Sequence, residues 1–397
     1  MNKTDGNDSS SSSLETGVKI VCIGGGFAGL DVLRTLRSQH GCSVTLLEKR
    51  SYHEYLPGIP EVLAEGDVEK LLVPFKGQRN TSRIELVHDI LSLDPNQRVV
   101  KFKSTDKSER SITFDYAVIC TGCDYASPIR GSSPIVSGRV SEVASIQAVV
   151  SRTKLPILVA GGGHVGVELA ADIASRRGGT QVVLATGNGG VLPGHSEWQV
   201  KYVKDFFGRL TNVQVHEERC EEITPTGEGT VREFKLLKSG STIRTECYFS
   251  CTGFGTPNTG FLAGVSLGAR GHVSTDSGTL QVKMSDGTLS PCVFAAGDVR
   301  NKESGFRMAS FAHFEGEFVG RQILRAIRGE RLRTFKPPPE RSFVVSLGPF
   351  DGFVSVLGRS VLWGRVVPWL KKVVEWGWLK VTPYLPAVGF DGKLAAS

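Results

Sequence analysis

No stretch of about 18 uncharged apolar residues occurs in the 397-residue chain, so no membrane-spanning helix is expected. The N-terminal residues lack an apolar core segment, and no secretory signal is expected. They also lack the Arg-rich, acid-poor character of a transit peptide, because Asp5 and Asp8 come early. Asn2 stands where N-myristoylation requires glycine. Cysteine is sparse and scattered, with eight residues mostly inside apolar runs, which is the usage of a reducing compartment. Cys120 and Cys123 have CxxC spacing but sit at a strand end, so Cys120 reads as core and no metal site is expected. Acid is scarce toward the C-terminus: residues 321–380 hold 12 Lys and Arg against 4 Asp and Glu, while the rest of the chain is close to neutral. That imbalance points to an anionic surface or cofactor nearby.

Glycine, by contrast, is plentiful at 47 residues, and its placement organises the chain. An apolar run, Ile20 to Ile23, ends in Gly24-Gly25-Gly26-Phe27-Ala28-Gly29; a helical segment from Leu30 to Ser38 follows, and a second apolar run ends at Glu48. Strand, glycine turn, helix, strand and acid in that order mark a dinucleotide-binding unit. Gly24, Gly26 and Gly29 serve a tight turn, backbone approach to a pyrophosphate, and helix-on-strand packing. Glu48 is placed to accept hydrogen bonds from an adenosine ribose, with Lys49 beside it. The loop SYHEYLPGIPEVLAEG follows closely, and His53 in it is a candidate for the edge of a bound cofactor.

The pattern recurs at residues 155–186, with Gly161, Gly163 and Gly166 in the turn and a helix from Val167 to Arg176. Two units imply two nucleotides. The second unit ends in Leu184-Ala185-Thr186-Gly187-Asn188, with no carboxylate to repel a 2′-phosphate, so both NADH and NADPH are expected to bind.

Strands ending in Thr121-Gly122 and Thr252-Gly253 mark returns of the chain to the cofactors. A further strand delivers Gly297-Asp298 to a helix from Met308 to Ile327, placing Asp298 to bond a flavin's ribityl or phosphate region. Beyond Lys336 come two strands and a segment, 358–386, that holds four of the five tryptophans. Arg365, Pro368, Lys372 and Glu375 are read on one side of it; Val366, Val367, Leu370, Val373 and Val374 are read on the other. A Trp-rich basic amphipathic segment suits a membrane interface.

The motif order GGGFAG…EKR…YH…ICTG…GGGHVGVE…CTG…AAGD resembles the two-dinucleotide flavoproteins of the pyridine-nucleotide oxidoreductase superfamily. YHEYLPGIPEVLAEG and SLGPFDG are most similar to the ferroptosis suppressor group, also called apoptosis-inducing factor, mitochondrion-associated, type 2; type II NADH dehydrogenases come next. The resemblance implies FAD on the first unit and Asp298, NAD(P)H on the second, and electron delivery to a quinone. Glu168 matches the acid of the nicotinamide-site motif GxGxxGxE. The dehydrogenase pattern A-Q-x-A-x-Q is replaced by Ala309-Ser310-Phe311-Ala312-His313-Phe314, so the quinone site is expected to differ and respiratory duty is not implied. Disulfide reductases of the superfamily carry a CxxxxC pair where residues 49–75 have no cysteine, which excludes a thiol relay there. Sulfide–quinone reductases use a cysteine in the C-terminal third, and none follows Cys292.

The expected fold is α/β: two Rossmann-like domains, for FAD (17–137 and 271–330) and NAD(P) (138–270), then a small C-terminal α+β domain (331–397) after a disordered tail (1–16). The expected activity is hydride transfer from NADH or NADPH to FAD, then two electrons to a lipid quinone. Glu168, His313 and Glu315 are the catalytic candidates. A cytoplasmic enzyme bound peripherally to a membrane through 358–386 is expected, with mitochondrial association and a homodimer both allowed and no nucleic-acid partner. Two other readings stay open here: a soluble flavin reductase serving a protein or small radical, and a non-enzymatic flavoprotein that binds partners or nucleic acid through its basic end.

Overall fold

The first glycine unit forms the centre of a nine-stranded sheet. The computed structural model describes residues 17–381 apart from positions 38, 40, 76–77, 80–81, 126–127, 224–230, 254, 303–306 and 339–340. The N-terminal serine run and the end of the tryptophan segment therefore lie outside the described residues.

Val18–Ile23 pairs in parallel with Cys42–Glu48 on one side and with Tyr116–Ile119 on the other. Leu289–Ala295 and Ser82–Asp94 extend the sheet, also in parallel. Both faces are covered, so these strands are apolar along their length: Ile20, Val21, Cys22 and Ile23 are all buried. The chain leading to Thr121-Gly122 forms two strands, Glu109–Thr113 and Tyr116–Ile119, because it turns at Phe114–Asp115 to enter the parallel core.

Helix α1 (Phe27–Leu36) starts three residues earlier than the sequence pattern suggested, with Gly26 at its N-cap. Helices α2 (Ile59–Ala64) and α3 (Val136–Arg152) follow. The second sheet runs Val213–His216, Val182–Ala185, Ile157–Ala160, Tyr248–Ser250, all parallel and ordered third-second-first-fourth in the chain. Order reverses beside the first strand of each unit, which is where doubly wound sheets bind ligands. Helices α4 (His164–Arg176) and α5 (Glu197–Gly208) belong to this half. Helix α6 (Ala309–Ile327) packs along α1 at close range, since a Cβ on Gly316 would lie 2.2 Å from the Ala28 carbonyl oxygen.

A three-stranded antiparallel sheet, Phe343–Ser346, Gly352–Val356 and Arg359–Trp363, leads into α7 (Val366–Val381). Pro368 falls in the first turn of α7, where its missing N–H costs no helical bond.

The sides of α7 differ from the sequence reading. Val367 and Glu375 are buried and Lys371 points inward to Glu168, whereas Val366, Trp369, Val373, Val374 and Trp376 face outward. The positions 366, 369, 373 and 376 form one helical stripe, so the apolar stripe is the solvent-facing one. Glu375 is buried and is paired with Lys372, one turn earlier on the same helix, at 3.1 Å.

Candidate functional site: two nucleotide cradles under a terminal helix

The two glycine turns divide their labour identically. Gly24 and Gly161 have φ of 102° and 126°, a region that L side chains rarely adopt. A Cβ there would lie 2.4 Å from the Cys120 oxygen and 2.1 Å from the Cys251 oxygen, respectively. A Cβ on Gly29 or Gly166 would lie 1.9 or 2.0 Å from the oxygen of the first glycine of its own turn. Gly26 and Gly163 instead face open space, with nothing within 4 Å of a Cβ. Each of these glycines is a helix N-cap without a side-chain cap, so the N–H groups of α1 and α4 point into that opening. An anionic pyrophosphate fits both openings.

The first cradle has a buried wall. Phe27 packs edge-on against His53 at 5.1 Å and against Tyr55 at 5.8 Å. His53 Nδ1 sits 3.1 Å from the Gly25 oxygen, while its Nε2 is buried with no partner among the described residues. Burial pushes the His53 pKa down to about 4, so the ring is neutral, donates from Nδ1, and offers Nε2 as a bare acceptor. Glu48 accepts from the Gly25 and Arg50 amides, which fixes its carboxylate beside the turn. Lys49 points away and pairs with Asp89 at 2.8 Å on the surface. Thr121 donates to the Asn258 oxygen at 2.7 Å, and Gly122 accepts from the Asn258 amide at 3.0 Å.

Gly297 has φ of 83°, and a Cβ on it would press on Ala28 at 3.3 Å. Asp298 Oδ1 is buried without a hydrogen-bond partner among the described residues, and burial raises its pKa despite Lys302 nearby. Orphaned acceptors at His53 and Asp298, with open space at Gly26, fit a flavin dinucleotide lying between them.

Glu315, a catalytic candidate above, is not placed to reach a bound acceptor. It is buried, accepts from the Gly297 amide at 2.7 Å and from Arg300 at 2.9 Å, and forms an ion pair with Lys302 at 3.2 Å. Burial opposes its charge, but Lys302 and Arg300 outweigh that and hold the carboxyl below its ordinary range. Glu315 props the Gly297–Asp298 turn from behind. His313, two residues earlier, lies outside that network and bonds Asp31 of α1 at 2.6 Å. The His313 ring meets Trp378 of α7 at 5.4 Å, and Trp378 meets Phe27 at 5.0 Å. Helix α7 thus covers the first cradle.

In the second cradle Glu168 is buried, with Oε1 accepting from the Ser346 amide at 2.9 Å and from Lys371 at 2.7 Å. It ties α4 to the terminal sheet and α7. His164 and His195 meet at 2.8 Å beside Phe343, and burial pushes His164 down to about 3. Gly187, at the strand end, has φ of 75°, and the Arg219 side chain passes 4.0 Å from where a Cβ on Gly187 would sit. Gly253, with φ of 115°, faces open space.

Two such cradles in one chain, matched over residues 18–316 by the model of the pyridine nucleotide-disulphide oxidoreductases, settle the family. The chain belongs to the pyridine nucleotide-disulphide oxidoreductase family. It is a flavin-dependent oxidoreductase, with FAD and NAD(P)H as its cofactors. Ferroptosis suppressor protein 1 of Taeniopygia guttata is 23% identical over 372 residues, covering 91% of this chain and 94% of that protein. NDH2 from Plasmodium falciparum in complex with NADH superposes with a TM-score of 0.71 at 14% identity, covering 91% of this chain and 94% of that one. The sulfide:quinone oxidoreductase of Aquifex aeolicus superposes at 0.70 with 16% identity, covering 92% and 91%. This family member carries no cysteine between 49 and 75.

Asp31, Arg219, Lys371 and Trp378 enter the site only through the structure. Asp31 alone left a trace in the sequence, as a charge at an inward position of an otherwise apolar helix.

Proposed function

We propose that this oxidoreductase passes electrons from NAD(P)H through FAD to a lipid quinone at a membrane surface. Bound FAD supplies the two-electron carrier, and the protein supplies position and dryness. The Gly24–Gly29 turn, Glu48 and Asp298 would hold FAD; Gly161, Gly163 and Gly166 would hold the nicotinamide dinucleotide. Quinone as acceptor is supported by fold-level likeness to a sulfide:quinone oxidoreductase.

One observation carries the reading. Helix α7 sets Trp378 on Phe27 of the first cradle while its opposite stripe exposes Trp369 and Trp376 at 65% and 60%. Each such Trp offers on the order of 100 Å² of apolar surface, roughly 2.5 kcal/mol on transfer from water. A helix bridging a flavin cradle and an apolar outer face gives an apolar acceptor a path that never enters water. No helix among the described residues is long and apolar enough to cross a membrane, so the contact proposed is a lateral one.

The test uses the flavin-loaded full chain and the double variant Trp369→Asp/Trp376→Asp. Long-chain quinone turnover in vesicles is expected to collapse in the variant while turnover of a water-soluble quinone persists. Equal long-chain turnover in both proteins would remove the membrane route.

A further inference from the structure

Helix α6 and the chain that returns over it enclose a groove of about 830 Å³. Its floor is apolar, with Phe314, Phe318, Leu332 and Phe335. Its rim carries six cations. Three are committed within the chain: Arg321 pairs with Glu317, and Arg325 and Arg328 lie 3.1 and 3.8 Å from Glu330. Arg331, Arg333 and Lys336 are exposed and make no ion pair among the described residues.

The returning strand of chain is built to hold those three charges. Buried Gln322 clamps Arg333 from both sides, donating to its oxygen at 2.8 Å and accepting from its amide at 3.0 Å. Arg325 donates to the Arg331 oxygen at 3.0 Å, and the Phe335 amide bonds the Gly278 oxygen at 2.7 Å. The backbone is fixed and the cationic tips are left free.

The groove lies beside α7. Phe314 at its end meets His313 at 5.0 Å, and His313 meets Trp378 at 5.4 Å. We propose that this groove is a docking site for the phosphate-bearing headgroups of an anionic membrane, resting on the membrane contact proposed above for α7. Apolar floor and cationic rim match an anionic lipid, whose glycerol and first methylenes are apolar and whose phosphate is charged. The outer stripe of α7 supplies insertion, and the groove supplies charge recognition.

Sedimentation of the flavin-loaded full chain with two vesicle types tests this: phosphatidylcholine alone, and phosphatidylcholine partly replaced by phosphatidylserine. The wild type is expected to bind the anionic vesicles far more tightly. Arg331→Gln/Arg333→Gln/Lys336→Gln should lose about fivefold per charge, on the order of 100-fold in all. A control of equal charge loss elsewhere on the surface, Lys101→Gln/Lys235→Gln/Lys283→Gln, should lose much less. Binding to neutral vesicles and turnover of a water-soluble quinone should not change in either. Equal losses in the two triple variants would overturn the site in favour of diffuse charge, and so would full retention of anionic binding in the groove variant. Specific displacement by inorganic phosphate, beyond chloride at equal ionic strength, would overturn headgroup binding in favour of a soluble anion. If the wild type binds anionic vesicles as expected but turns over no long-chain quinone, the quinone reading fails and the groove stands.

Discussion

His313 Nδ1 and Asp31 Oδ2 lie 2.6 Å apart although 282 residues separate them in the chain. The small residues along α1 and α6 bring them together: Gly316 lets the helices touch at Ala28, and Gly320 meets Thr35. Burial raises the Asp31 pKa, while His313 and Arg34 pull it back. A buried carboxylate under an imidazole fixes the ring's orientation, which suits delivery of a proton to an acceptor at the first cradle. Asp31→Asn should lower quinone turnover about 100-fold and leave flavin reduction by NADH within about twofold. Stopped-flow measurement of the two half-reactions checks this. An equal fall in both would make the pair a structural brace only.

His53 ties stability to pH. Its pKa is about 4 in the fold, against roughly 6.5 in an unfolded chain. Between those values the unfolded chain binds a proton that the folded one refuses. The contribution of neutral His53 is therefore complete above about pH 6.5 and is lost as pH falls toward 4, by up to about 3 kcal/mol. The unfolding free-energy difference between wild type and His53→Gln should shrink by about that amount from pH 7 to 4 in urea titrations. A difference that does not vary with pH would show that His53 titrates normally.

Arg219 is expected to favour NADPH over NADH. It is exposed and passes beside Gly187, at a strand end without a carboxylate. Arg219→Ala should lower kcat/KM for NADPH about tenfold, the value of one charge-assisted hydrogen bond, and leave NADH unchanged. Parallel losses for both cofactors would place Arg219 outside the 2′-phosphate site.

The Glu168–Lys371 pair joins the second cradle to α7 at 2.7 Å, with both groups largely buried. Lys371→Met strands the Glu168 carboxylate and should cost about 3 kcal/mol. Adding Glu168→Gln should recover part of that loss, because the orphaned charge goes with it. Chemical denaturation of the single and double variants gives the comparison. Strictly additive losses would mean that the two groups do not interact.

The two α/β units were legible because steric necessity writes glycine into the chain. Gly24, Gly29, Gly161 and Gly166 tolerate no Cβ, and no other residue can stand there. Helix starts were less legible: the pattern of apolar residues begins at Leu30, but the helix begins at Phe27 because Gly26 caps it. Glu315 and His313 looked equivalent on one helix, and only the Arg300–Lys302 pocket separates a buried brace from a half-open imidazole. The two sides read for α7 are each split in the fold: Val367 is buried while Val366, Val373 and Val374 face outward, and Glu375 is buried while Lys372 is exposed. Lys371 turns inward to Glu168, a partner on α4 that the local pattern of α7 does not reveal. Contacts such as Asp31 with His313 leave no local pattern at all.

Electron flow through the first cradle to an apolar acceptor is tested most directly by one anaerobic titration of the purified full chain. NADH is added first, then a long-chain quinone in vesicles, while the visible flavin absorbance is followed. The expected result is a yellow protein that bleaches with NADH and regains its colour with the quinone. A protein that stays colourless when offered FAD, or that bleaches and is never reoxidised by the quinone, would contradict it.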